Sequence, residues 1–185
     1  DVEHDRIVNR QAELANRILA PVDTDALLSA IDYTMRRQTD GTSVGAALAL
    51  VGSGRLPVSV LGDGDFMQGN TALWTAARYR IPLLMIISNN TSNFNDEMHQ
   101  ETMAKDRGRP VENRWIGMRI DDPALDIAGY AKALGVASAG PVETVGELVA
   151  AIDAGMKVVE SGKPYVLDVH VAPGYAAPPP ARTAG

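Results

Sequence analysis

The chain has 185 residues, 45% of them hydrophobic and 22% charged, which is enough apolar material for one domain with its own core. A net charge of −6 and a pI near 5.0 argue against a nucleic-acid-binding surface built from clustered Lys and Arg. The sequence has no apolar run of the roughly 18 residues that span a bilayer, no basic-then-apolar leader and no cysteine for disulfides, thiolate metal sites or nucleophiles, so a cytoplasmic protein with no membrane partner is expected.

In chain order, residues 2 to 19 scatter Ile7, Leu14, Ile18 and Leu19 among many charges, the pattern of a peripheral helix, and residues 1–20 read as a helical linker. Pro21 breaks that pattern and Asp23 or Thr24 can cap a second helix. Ala26, Leu27, Ala30 and Ile31 then keep helical spacing through "DALLSAIDYTMRRQ". A third helix is expected from about Ser43 to Val51, closed by Gly52 and Gly54. From Pro57 the pattern changes to a strand "PVSVLG", a helix "GNTALWTAARYR" and a buried strand "IPLLMIISNN". After a polar stretch come a helix "DPALDIAGYAKALG", a strand "VASAG", a helix "TVGELVAAIDAGMKVVES" and a strand "PYVLDVHV". Residues 173–185 are too rich in Pro and Ala to pack and read as a flexible tail.

Strands alternating with helices at these lengths imply right-handed βαβ units, and so an α/β fold with a doubly wound parallel sheet and helices on both faces. Three helices in a row at the front leave that sheet short of a strand. Either the front is a helical annex to a main domain over residues 21–172, or chain is missing between about Asp40 and Gly41.

Two strand ends carry the chemistry. Asp63, in "LGDGDFMQGN", follows the first strand, and Asn89 and Asn90 follow the second. In a βαβ unit with residues 68 to 80 as the crossover helix, both groups meet at neighbouring carboxyl ends, where open α/β sheets bind ligands. One carboxylate with amide and backbone carbonyl oxygens suits Mg²⁺ held partly by a ligand's phosphates. Gly62 and Gly64 allow close backbone approach, and amides leading into the next helix can cradle phosphate oxygens. A dinucleotide fingerprint fails at its third glycine, where Met67 stands.

"GDG", followed by the 24 residues from Asp65 to Ser88 and then "NN", resembles the motif of thiamine diphosphate-dependent enzymes. The chain is similar to the C-terminal, diphosphate-binding domain of the acetolactate synthase and benzoylformate decarboxylase group, from roughly Pro21 to Val171. "ALWTAARYRIPLLMIISNN" resembles the helix and strand between the two halves of the motif. The resemblance implies a thiamine diphosphate-binding fold, with chain missing between Asp40 and Gly41. It also implies that Asp63, the Asn90 side chain and the Ser92 backbone oxygen bind Mg²⁺. The amides of Gly64, Asp65 and the turn from Thr91 to Asn93 would face the diphosphate, and Gly62 would complete that loop. Asp65 departs from the small residue often found at its position, so either its carboxylate points away or the metal site is unusually acidic. "TSNFNDEMHQE" departs too, and nothing is carried over beyond Asn93.

The resemblance further implies a parent enzyme, a lyase or transferase, that makes or breaks a carbon–carbon bond beside the carbonyl of a 2-oxo acid. It would be a decarboxylase or an acetolactate synthase-like carboligase, with the organic mechanism belonging to the cofactor. A pyrimidine-binding domain of a neighbouring subunit, absent from this chain, would supply the activating glutamate, so a homodimer or tetramer is expected and the fragment alone is inactive. The rival reading is a non-catalytic thiamine diphosphate-binding module. Among the remaining residues, His99 reads as a surface histidine, His170 as structural and His4 as solvated. Asp96 and Glu97 read as a polar face, Trp74, Tyr79 and Ile81 as core, and "KDRGRPVENRW" as an ordered loop.

Overall fold

The computed structural model describes residues 40–173. The two helices expected before residue 40, with His4, and the tail from residue 174 onward lie outside the described residues. The elements run α1 (Asp40–Leu50), β1 (Val58–Gly62), α2 (Asp63–Gly69), α3 (Ala72–Tyr79), β2 (Leu83–Asn89), α4 (Phe94–Asp106), α5 (Ile127–Ala133), β3 (Ala137–Val142), α6 (Val145–Glu160) and β4 (Pro164–His170). The expected break between Asp40 and Gly41 falls at the first residue of α1, where the described chain begins.

All strands are parallel, in the order β1-β2-β4-β3. The connection from β2 to β3 therefore passes over the place that β4 later fills. Because side chains alternate across a strand, β2 feeds both faces. Leu83, Met85 and Ile87 pack with Val44, Phe66, Leu73, Ile127 and Val136 on one side. Leu84 and Ile86 pack with Ile152, Val159, Tyr165 and Leu167 on the other. Helices α1, α2, α3 and α5 thus cover one face and α6 the opposite one, as the alternation of apolar runs implies.

Local chemistry moves several boundaries. The single crossover helix expected over residues 68 to 80 is two helices, and the first starts at Asp63 itself. Short-range bonds interrupt it, from Leu73 N–H to the Asn70 carbonyl (3.1 Å) and from Trp74 N–H to the Thr71 carbonyl (3.2 Å). At that junction Asn70 accepts a hydrogen bond from the Tyr130 hydroxyl (2.9 Å). The helix expected from Asp122 begins only at Ile127. Pro123 disfavours helical backbone at Asp122, and Asp126 caps α5 by accepting from Gly129 N–H at 2.7 Å. The polar stretch after the asparagines is a 13-residue helix, α4, which lacks an apolar stripe to announce it.

Trp74 and Tyr79 are not core. They are 54% and 70% exposed, because Leu73 and Ala76 form the buried face of α3, while Ile81 is buried as expected.

Gly155 lies mid-way along α6, where glycine costs helix stability relative to alanine. A Cβ there would stand 2.8 Å from the Tyr165 ring and 3.0 Å from Leu84. Both neighbours are core side chains with little room to yield. Gly155→Ala is therefore expected to destabilise the fold by about 1 kcal/mol, the overpacking cost exceeding the helix gain. Urea unfolding measures it, and a stabilised variant would show that this contact is loose.

Candidate functional site

Parallel pairing places Gly62, the last residue of β1, beside Ser88 near the end of β2. Both strands therefore deliver the residues that follow them to one edge of the sheet. Asp63 opens α2 and is 2% exposed. Its Oδ1 accepts from Gly64 N–H (2.9 Å) and its Oδ2 from Ser92 N–H (3.0 Å). The Ser92 amide is shared with Asn90 Oδ1, also at 3.0 Å. Burial raises the Asp63 pKa above the usual carboxylate value, and these backbone hydrogen bonds, Gly64 first, oppose the rise.

The two glycines differ in what they do. A Cβ on Gly64 would overlap the Asn93 side chain, so glycine is required there by close approach. A Cβ on Gly62 would only meet the Asp65 carboxylate at 3.4 Å. Asp65 turns back toward the start of α2, where its Oδ2 receives a long hydrogen bond from Gly62 N–H (3.4 Å). Burial raises the Asp65 pKa and the Asp96 charge adds to the rise, while the Gly62 amide lowers it.

The second half of the site is a turn. Thr91 adopts φ +57°, a left-handed conformation that a β-branched residue rarely takes. Asn89 and Asn90 divide the work. Asn89 is buried and faces inward, donating to Asp168 Oδ1 (3.0 Å) and accepting from Thr91 N–H (3.1 Å). Asn90 lines the pocket. A second segment braces the turn, with Asn93 N–H donating to the Met118 carbonyl (2.9 Å) and Ile120 N–H to the Thr91 carbonyl (2.8 Å).

A pocket of about 400 Å³ opens at this edge, and Gly62, Asp63, Gly64, Asp65, Asn90, Ser92 and Asn93 all line it. Val171 and Ala172, beyond β4, complete one wall. Among the described residues no cluster of three or more His, Cys, Asp or Glu could hold a metal. A cation here has to draw on amide and carbonyl oxygens beside carboxylate, a hard-oxygen set that suits Mg²⁺ completed by phosphate. First-turn amides of a helix lack intrahelical acceptors; the Gly64 amide turns to Asp63 Oδ1, and the absent side chain of Gly64 makes room for Asn93. The residues present therefore fit a metal-bridged diphosphate.

The family model described as "Thiamine pyrophosphate enzyme, C-terminal TPP binding domain" matches residues 14–169. The chain belongs to this family. Among solved structures it is similar to the thiamine diphosphate-dependent 4-hydroxybenzoylformate decarboxylase of Rhodococcus jostii RHA1, with a TM-score of 0.57 and 25% identity. That match covers 72% of this chain and 22% of the decarboxylase. Benzoylformate decarboxylase from Polynucleobacter necessarius shares the fold, with a TM-score of 0.52, 21% identity and coverage of 72% and 23%. The chain thus spans less than a quarter of either enzyme's length. No curated protein sequence matches it.

Within this thiamine diphosphate-binding domain the histidines stand aside. His99 is exposed on α4 and does not line the pocket. His170 ends β4 with Nδ1 3.6 Å from Glu143 and Nε2 3.8 Å from Asp168. Glu97 is not part of a polar face. It is 1% exposed, accepts a short hydrogen bond from the Ser92 hydroxyl and pairs with Arg119 Nε at 2.7 Å. No apolar spacing marks that position, and its partner lies 22 residues downstream. No helix of the described residues is long and apolar enough to cross a membrane.

Asp40, the first residue of α1, is fully buried, and neither carboxylate oxygen has a hydrogen-bond partner among the described residues. Burial first, and then the Asp65 charge, pushes its pKa from 3.8 up to about 7. Between those values the folded state holds a proton that the unfolded chain has lost, so this contribution to stability is present in acid and fades as pH rises toward neutral. Asp40→Asn, which keeps the shape without the charge, is expected to raise the melting temperature by several degrees at pH 8 and to change it little at pH 4. An unchanged or lower value at pH 8 would contradict the burial of this acid among the described residues.

Proposed function

We propose that this chain is the diphosphate- and Mg²⁺-binding domain of a thiamine diphosphate-dependent enzyme acting on 2-oxo acids, a decarboxylase or an acetolactate synthase-like carboligase. The observation that carries the reading is the convergence of Asp63 and the Asn90–Asn93 turn on one pocket at the carboxyl edge of the sheet. The membership in the family and the likeness to a 4-hydroxybenzoylformate decarboxylase, an enzyme named for a 2-oxo acid, support the reaction class.

In this reading the Asp63 carboxylate, Asn90 Oδ1 and the Ser92 backbone oxygen hold Mg²⁺. The diphosphate faces the amides of Gly64 and Asp65 and the turn from Thr91 to Asn93, with Gly62 closing the loop. When bound, thiamine diphosphate supplies a nucleophilic carbon and an electron sink for chemistry at the substrate carbonyl. The residues of this chain bind and orient. Asp63 is held in place before any cation arrives, by hydrogen bonds from Gly64 and Ser92. A buried carboxylate whose charge is penalised gains most from a divalent cation beside it. Asp65 stays occupied with the Gly62 amide, which leaves Asp63 as the anionic ligand.

The same reading places the pyrimidine-binding domain and the activating glutamate on a neighbouring subunit, in a cytoplasmic homodimer or tetramer. Asp63→Ala in the complete protein is expected to abolish Mg²⁺-dependent binding of thiamine diphosphate, as measured by calorimetry. Parental affinity would refute the assignment. Carbon dioxide release from pyruvate, benzoylformate and longer 2-oxo acids is the companion assay. Binding with no turnover of any of them would favour a non-catalytic cofactor-binding module.

A further inference from the structure

We infer that Glu97 and Arg119 are positioning residues for the cation-binding turn, acting through the Ser92 side chain; the inference rests on the proposed Mg²⁺ and diphosphate site. Its starting point is the way α4 is attached. Among its 13 residues the buried one is an acid, Glu97. A helix normally docks through an apolar stripe, and a carboxylate is withdrawn from water only where partners repay the desolvation. Glu97 has two such partners. Its Oε1 takes the short hydrogen bond from Ser92 Oγ and the 2.7 Å contact from Arg119 Nε. Its Oε2 lies 3.5 Å from the Arg119 Nη2.

Both partners belong to the walls of the turn. Ser92 and Arg119 face each other in an isolated antiparallel bridge. The hydrogen bonds from Asn93 to Met118 and from Ile120 to Thr91 flank that bridge on either side. The backbone of 118–120 therefore grips the turn, and Glu97 grips both members of the central pair by their side chains. This arrangement answers a specific conformational problem. Thr91 sits at φ +57°, a region that is unfavourable for a non-glycine residue unless its surroundings hold it there. If that turn is free to rotate, Ser92, which lines the pocket, loses its position there. Fixing Ser92 by its hydroxyl removes that freedom without using the carbonyl itself.

Charge makes Arg119 necessary as well. Asp63, Asp65 and Asp96 already line the pocket. Glu97 adds a fourth carboxylate behind the turn, and the Arg119 guanidinium neutralises it. The brace thus fixes geometry without adding net charge to an acidic site.

The test uses the complete polypeptide and two variants that leave every proposed ligand atom in place. Ser92→Ala keeps the backbone carbonyl and removes the hydroxyl. Glu97→Gln keeps the shape and removes the charge. In the metal-free protein, hydrogen exchange of peptides spanning 91–93 and 118–120 is expected to quicken in both. At saturating thiamine diphosphate, each is expected to bind Mg²⁺ about tenfold more weakly by calorimetry, the usual scale for losing a group that orients a ligand. Because both act on one contact, the double variant is expected to be no weaker than the weaker single one. Arg119→Lys is expected to recover part of the affinity lost in Arg119→Ala.

Melting temperatures identify any variant that merely unfolds, and Ser92→Ala carries the test if Glu97→Gln does so. Parental exchange, or parental Mg²⁺ affinity in variants of a parent that binds the cation, would overturn this inference alone. Failure of the parent to bind Mg²⁺ at all would overturn the proposed function and this inference with it.

Discussion

The Ser92 amide, shared between a carboxylate oxygen of Asp63 and the side-chain oxygen of Asn90, joins two parts of the chain 29 residues apart. Each part arrives because β1 and β2 are adjacent and parallel, so that their ends share one edge. An antiparallel pair would send the two ends to opposite edges and separate the groups by a strand length. The two helices between the strands have to cover one sheet face and return the chain to its starting edge. Phe66 and Leu73, both fully buried, show how they do so. The pocket is therefore a consequence of βαβ geometry before it is a consequence of any single side chain.

That dependence explains which parts were legible in the sequence. β-Branched and apolar runs ending in Gly62 and Asn89 mark strand ends, and groups at strand ends are placed by topology alone. All seven candidate residues, Gly62 through Asn93, line one pocket for that reason. The brace behind them was illegible. Glu97 lies on a helix without apolar periodicity, and Arg119 in a segment without regular structure, so no local pattern joins them. The buried role of Asn89 was hidden for a related reason. Its partner Asp168 is an acid within an apolar strand, 79 residues away. Trp74 misled in the opposite direction, since an aromatic residue beside the buried Leu73 and Ala76 still faces solvent when its position on the helix turns it outward.

The distribution of glycine and acid in the loop has a physical logic. Gly64 is bare so that Asn93 can approach, and the contact is tight enough that no side chain fits. Asp65 accepts from the Gly62 amide at the start of α2, closing the turn with a carboxylate. Negative charge at a helix N-terminus is favourable, so the extra acid stabilises the loop that holds Asp63. The cost is a second partly buried carboxylate near the first.

This cost sets the electrostatic character of the domain. Asp40, Asp63 and Asp65 all have pKa values raised chiefly by burial, and Asp65 raises that of Asp40 further. A fold that concentrates penalised acids at one edge stores unfavourable desolvation there, which protonation or a cation can relieve. Protonation relieves it without specificity. A divalent ion relieves it only where oxygen ligands are already aimed, and in the proposed site the hydrogen bonds to Asp63 and the grip on Ser92 would provide that aim. Glu97 would oppose such a design if unpaired, because a further buried anion would hold a cation without orienting it. Paired with Arg119, it contributes direction in place of charge. In the proposed site the acids that face the pocket and the acid behind the turn would thus divide between attraction and alignment, with the 2.7 Å contact to Arg119 separating the two roles.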